Sequence, residues 1–161
     1  GDSFQQADLT RPLPEGRRFD LALSMEVAEH LPPERAASFV ADLCSLSDFV
    51  LFAAAIPQQG GTGHVNEQWQ DYWAGLFSAA GYAAVDAIRP RVWDDASVRV
   101  WYRQNTLLYA KRSRLPQVKF PASTGPLALV HPEMYTAKVG TLRGAWKTFI
   151  RKFRRGIRPR L

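Results

Sequence analysis

Two apolar runs, "FDLALSM" (Phe19–Met25) and the continuous "DFVLFAAAIP" (Asp48–Pro57), are separated by a single stretch of helical periodicity. Short apolar runs without polar alternation read as strands buried on both faces. Between them, "PERAASFVADLCSL" predicts a helix from Pro33, with Ala36, Phe39, Val40 and Leu43 on one face. Pro33 suits its first turn, and Glu34 suits the positive end of its dipole. Strand, helix and strand in that order predict a parallel pair inside an α/β layer architecture.

The pattern continues downstream. "WQDYWAGLFSAAGY" predicts a second helix, with Trp69, Tyr72, Trp73, Leu76 and Phe77 sharing a face and Gly81 as its C-cap. "AAVDAIRPRVW" predicts a third strand with an irregular exit. "SVRVWYRQNTLLYAKR" predicts a fourth, rich in the β-branched and aromatic residues that strands favour. Their direct connection predicts an antiparallel hairpin at a sheet edge.

A length of 161 residues is enough for one domain with a sizeable core. The single cysteine, Cys44, rules out an internal disulfide framework and a multi-cysteine zinc site; its helical apolar neighbours predict burial, and a reducing cytoplasm is the default expectation. The net charge of +6 is unevenly placed: residues 1–137 sum to −3 and residues 138–161 to +9. This predicts three regions: a domain over 1–112, a proline-rich linker or wrap over 113–137, and a basic tail over 138–161. In the tail, Leu142, Trp146, Phe149, Phe153 and Ile157 recur at helical spacing among Lys and Arg, as in a basic amphipathic helix. Such a helix suits an anionic membrane surface or a protein partner. No aromatic-rich basic sheet face of the RNA-binding kind is present, which argues against nucleic acid.

The chemistry concentrates in "SMEVAEHLPPE" (Ser24–Glu34), directly after the first apolar run. Three readings of Glu26, Glu29 and His30 are open. They can simply close a strand-to-helix turn. His30 can act as a general base near neutral pH. Or positions i, i+3 and i+4 on one helical turn can gather Glu26, Glu29 and His30 as metal ligands, with His64 from "GGTGHVNEQ" as the fourth. Two carboxylates and two imidazoles suit Mn²⁺, Fe²⁺ or Zn²⁺, whereas Mg²⁺ prefers all-oxygen shells. Asn66, Glu67, Trp69 and Tyr72 follow His64 and could line an acceptor pocket, although Trp69 and Trp73 are expected first as the buried face of their helix. Arg103 and Asn105 are expected as polar groups on the last strand, and His131 as an exposed loop residue.

Taken in order, "ADLTRPLP", "RFDLALSMEVAEHL", the run ending Ile56-Pro57, "HVNEQWQDYWAGLFSAAGY" and "WYRQNTLLYA" resemble the C-terminal two-thirds of a class I S-adenosylmethionine-dependent methyltransferase, from about Ala7 to Arg112. The resemblance implies a partial Rossmann-like sheet carrying that family's fourth to seventh strands, in the order 4-5-7-6 with the seventh antiparallel. It implies that Asp8 accepts from the adenine amino group beside the backbone of Leu9. It places Ser24 and Met25 against the methionine side, and His30, with Glu29, in the catalytic position. The Glu-x-x-Glu-His plus distal His pattern is similar to that of ubiquinone-pathway O-methyltransferases and small-RNA terminal 2′-O-methyltransferases, which implies a metal against the acceptor hydroxyl. The acceptor so implied is a hydroxyl of a small molecule or a glycan, with the tail working near the inner membrane face. The family's glycine-rich loop and its ribose-binding acidic residue are absent. The sequence is therefore expected to be part of a longer enzyme, with its first apolar run left as an exposed sheet edge. The rival expectation is a noncatalytic methyltransferase-like module docked by its tail.

Overall fold

The computed structural model describes residues 4–14, 16–140, 144, 146 and 147. Of the expected tail helix, all but a few residues lie outside that set. The chain divides into two compact units, residues 1–129 and 130–161.

The first unit is α/β. Its strands are β1 (Ala22–Met25), β2 (Phe49–Ala53), β3 (Tyr82–Val85) and β4 (Leu107–Lys111); its helices are α1 (Ala36–Leu46), α2 (Gln70–Ala79), α3 (Arg89–Val92) and α4 (Val100–Asn105). The sheet order is β1-β2-β4-β3. β1 and β2 run parallel, with Ala22 opposite Val50, and β4 lies antiparallel to both β2 and β3.

Alternation along the strands sorts the side chains onto two faces. Ala22, Val50, Phe52, Leu107, Tyr109 and Tyr82 meet Phe39, Val40 and Leu43 of α1 and Trp73 and Phe77 of α2. Phe77 stacks on Tyr109 with ring centroids 3.8 Å apart. On the other face Val85, Ala87 and Ala110 pack with Phe49, Leu108, Leu115, Val118 and Phe120. The segment after β4 begins as a 3-10 turn (Arg112–Gln117) and folds back there, held where Ser123 donates its N–H to Ala84 O and its hydroxyl accepts from Asp86 N. Among the described residues β1 is an open edge: Leu23 is 61% exposed, and Phe19 and Leu21 are also exposed.

Several elements match the sequence reading. α1 buries Ala36, Phe39, Val40 and Leu43 as its periodicity predicts, after a 3-10 turn over Pro33–Arg35. Gly81 ends α2 at φ +85, its N–H donating to Ser78 O.

Others do not. The third strand stops at Val85, where Ala87 N turns back to Val85 O and Asp86 N donates to the Ser123 hydroxyl, and Pro90 sits in the first turn of α3. Arg89 there is buried, pairs with both oxygens of Asp86 and donates to Leu127 O. The expected fourth strand is a helix over Val100–Asn105, and only Leu107–Lys111 is extended. β-propensity lost here to polar burial. The helical turn lets Arg103, Gln104 and Asn105 all point inward, with Arg103 donating to Trp93 O. The last two strands therefore pair antiparallel at one end of the sheet without a tight hairpin, β3 at the edge and β4 inside it. In α2 the buried residues are Gln70, Trp73 and Phe77; Trp69 precedes the helix and, like Tyr72, is exposed.

In the second unit a helix covers 132–140. His131 is buried, not exposed: its Nδ1 accepts from Glu133 N at 3.2 Å and its carbonyl from Tyr135 N, so it caps that helix. Among the described residues, no helix is long and apolar enough to cross a membrane.

Candidate metal centre

Parallel strands bring the carboxyl ends of β1 and β2 to one edge of the sheet, where α/β folds gather their ligands. The ladder runs one bond past β1, from Glu26 N to Ala53 O at 2.9 Å. The chain then reverses through Glu26 at φ +55, a left-handed conformation rare for a residue with a Cβ. A 3-10 turn over Ala28–His30 follows, and Leu31 becomes extended before Pro32, as a residue preceding proline must. Glu26 is thus outside the helical turn, contrary to the one-face arrangement expected from its spacing.

The turn nevertheless gathers a cluster. Among the described residues, Glu29, His30 and His64 offer one ligand atom each, all within 4.8 Å of one another. Glu29 is 0% exposed, and among the described residues its carboxylate oxygens meet no hydrogen-bond donor besides the neighbouring Glu26 carboxyl. Burying two neighbouring carboxyls is costly; a proton shared through Glu26 is one compensation, and a cation at Glu29, His30 and His64 is another. His64 Nε2 lies 4.0 Å from Glu29 Oε1, and the two imidazoles meet edge to face at 4.8 Å. Glu26 is not part of this triad. Its carboxyl accepts from Gln59 Nε2 at 3.3 Å, and burial, reinforced by the charge of Glu29, pushes its pKa up to about 7.

The loop after β2 positions the distal histidine. Val65 and Asn66 both donate their N–H groups to the Glu29 carbonyl, at 2.9 and 3.0 Å, and Gln68 N donates to Ala55 O. His30 Nδ1 lies 3.3 Å from Gly63 O, and His64 Nδ1 lies 2.9 Å from Glu67 Oε1. Gly61 is required by close approach, since a Cβ there would sit 2.2 Å from His64 Nε2. Glu67 also accepts from Gln58 N and Gly60 N, both at 2.7 Å. Burial works against its charge, but the His64 ring and these two N–H groups hold its pKa below the usual value.

The remaining residues singled out from the sequence fall elsewhere. Asp8 is exposed in a local turn, its Oδ1 accepting from Thr10 N at 3.0 Å and the Thr10 hydroxyl at 2.7 Å, which lowers its pKa. Arg35 docks that turn onto α1 through Leu9 O and Arg11 O. Ser24 is buried at the end of β1, its hydroxyl without a partner among the described residues, and Met25 is half-buried. Cys44 is half-buried, and burial pushes its thiol up to about 11, which makes it a poor nucleophile. An apolar cleft of about 560 Å³ beside Leu9, Leu13, Phe19 and Leu46 contains none of the triad.

Sequence reasoning missed two supports. Glu67 stands at i+3 from His64, a spacing that could have marked it as that ring's partner. Asn105 donates to Gln59 Oε1 at 2.9 Å from 46 residues away and accepts from Gln104 and Gln70, an amide network behind Glu26 that no local signal announces.

Compared with family models, curated proteins and solved structures, the chain has no match.

Proposed function

We propose that the chain carries the C-terminal two-thirds of an S-adenosylmethionine-dependent methyltransferase domain acting on a hydroxyl of a small molecule or a glycan, with a divalent ion at Glu29, His30 and His64. The observation that carries this reading is the strand order. β1-β2-β4-β3, with the last strand in sequence inserted antiparallel between the second and third, is the 4-5-7-6 order the resemblance implies. The triad supports it further, lying at the carboxyl edge where that fold holds its reactants.

When bound, S-adenosylmethionine supplies an electrophilic sulfonium methyl. A divalent ion, when bound, lowers the pKa of a coordinated hydroxyl and orients it. Glu29 contributes a buried carboxylate, and His64 presents Nε2 to the same space. One carboxylate and two imidazoles favour Mn²⁺, Fe²⁺ or Zn²⁺ over Mg²⁺. In a metal-free mechanism, His30 is exposed at the mouth and can take the acceptor proton on its ring nitrogen away from Gly63 O. Ser24 and Met25 close the end of β1 on the methionine side, and Asp8 and Leu9 would face adenine. The basic tail would hold the protein near an anionic membrane surface on the cytoplasmic side.

The test is calorimetric titration of S-adenosylhomocysteine into the chain and into the longest polypeptide that contains it, each with and without Mn²⁺. Binding by at least the longer form, with acceptor turnover raised by Mn²⁺, is the expected result. Absence of binding by both would sink the methyltransferase reading.

A further inference from the structure

Every residue of the triad is gripped by one loop, residues 57–68. The loop carries His64 itself. It clamps Glu29 by donating two backbone N–H groups, from Val65 and Asn66, to that residue's carbonyl. It holds His30 by placing Gly63 O 3.3 Å from Nδ1. The loop is in turn closed by one side chain. Glu67 spans it, with Oε2 accepting from Gln58 N at 2.7 Å, and Oε1 accepting from Gly60 N at 2.7 Å and facing His64 Nδ1 at 2.9 Å.

The hydrogen on His64 follows from these partners. A carboxylate already accepting two backbone N–H groups can only accept again, so Nδ1 must be the protonated nitrogen. The lone pair is then on Nε2, which is the nitrogen 4.0 Å from Glu29 Oε1. A ligating histidine whose other nitrogen donates to a carboxylate has its tautomer and ring plane fixed before the ion arrives. Gly61 makes room for the ring in this orientation, since a Cβ there would fall 2.2 Å from Nε2.

From this geometry we infer that Glu67 is a positioning residue for the metal centre: it locks His64 in the Nδ1–H tautomer and closes the loop that organises all three ligands. The inference rests on the metal reading of the triad, but it concerns a residue outside the ligand set.

The experiment uses the 161-residue chain and its Glu67→Ala and Glu67→Gln variants. Long-range ¹H–¹⁵N spectra of the metal-free protein report the His64 tautomer, and calorimetry with Mn²⁺ and Zn²⁺ reports affinity. The wild type is expected to show His64 as the Nδ1–H tautomer. Glu67→Ala is expected to mix the tautomers and weaken binding by roughly 10–100-fold. Glu67→Gln, which keeps one oxygen for the ring N–H, is expected to recover most of the tautomer signal and part of the affinity. A loop with a merely structural Glu67 would lose stability in both variants without moving the tautomer. Wild-type binding that Glu67→Ala leaves unchanged overturns the positioning role alone. Failure of the wild type to bind either ion overturns the metal reading and this inference with it.

Discussion

His64 Nε2 faces Glu29 Oε1 across 4.0 Å, and among the described residues that fully buried carboxylate meets no hydrogen-bond donor besides the Glu26 carboxyl. The gap is too long for a hydrogen bond and is the kind of separation an ion can bridge. The two residues come from loops 35 positions apart, joined at the same sheet edge by the Val65 and Asn66 N–H groups on the Glu29 carbonyl.

Glu29→Gln should therefore abolish the response of thermal stability to metal. A bound ion at 100 times its dissociation constant stabilises by about 2.7 kcal/mol. In the wild type, the melting temperature should rise on adding Mn²⁺ or Zn²⁺ and fall back with chelator. In Glu29→Gln both traces should superpose. A variant that keeps the full shift would remove Glu29 from the site.

Glu26 makes a pH-dependent prediction for the metal-free protein. Burial, with the neighbouring charge of Glu29, raises its pKa from 4.5 to about 7 in the folded chain. Between those values the folded state binds a proton that the unfolded state has released. Stability should thus be highest at the acid end of that window, decline as pH rises through it and level off above it. Glu26→Gln should flatten this slope and be the more stable protein at pH 8. Denaturant titrations of both proteins in chelator from pH 5 to pH 8 check this, and parallel curves would refute it.

Two glycines should respond oppositely to alanine. At Gly61 a Cβ would fall 2.2 to 2.8 Å from the His64 ring, so Gly61→Ala should displace the imidazole and weaken metal binding by roughly tenfold or more. At Gly75, in the exposed interior of α2, nothing lies within 4 Å of an added Cβ. Gly75→Ala should leave metal binding alone and raise stability by about 0.5–1 kcal/mol. Calorimetry and denaturant titration of the two variants separate the effects.

How much of this was legible in the sequence depends on the range of the forces involved. α1 was readable because its apolar period holds over eleven residues behind a proline-led turn. The parallel pair was readable because two apolar runs flank one helix. The 100–105 segment was not, because its strand-like composition was overruled by partners for Arg103 and Asn105 that only the fold supplies. Glu29, His30 and His64 were all foreseeable as donors at one sheet edge. The exclusion of Glu26 was not, since it turns on a left-handed φ at a strand exit rather than on spacing.

The open edge of the sheet yields the last prediction. Among the described residues β1 pairs on one side only, and Leu23 and Leu21, at alternate positions, expose 61% and 43% of their surface beside Phe19 at 49%. Unpaired N–H and C=O groups flanked by apolar side chains form a template for another strand. The 161-residue chain should therefore self-associate with rising concentration. Leu23→Lys places a charge on that edge without touching the core, because Ala22 and Ser24 are the buried residues flanking it. The variant should remain monomeric at concentrations where the wild type associates, with an unchanged circular dichroism spectrum. Sedimentation velocity across a concentration series reads this directly. Equal association of the two proteins would show that the β1 edge is not the sticky surface.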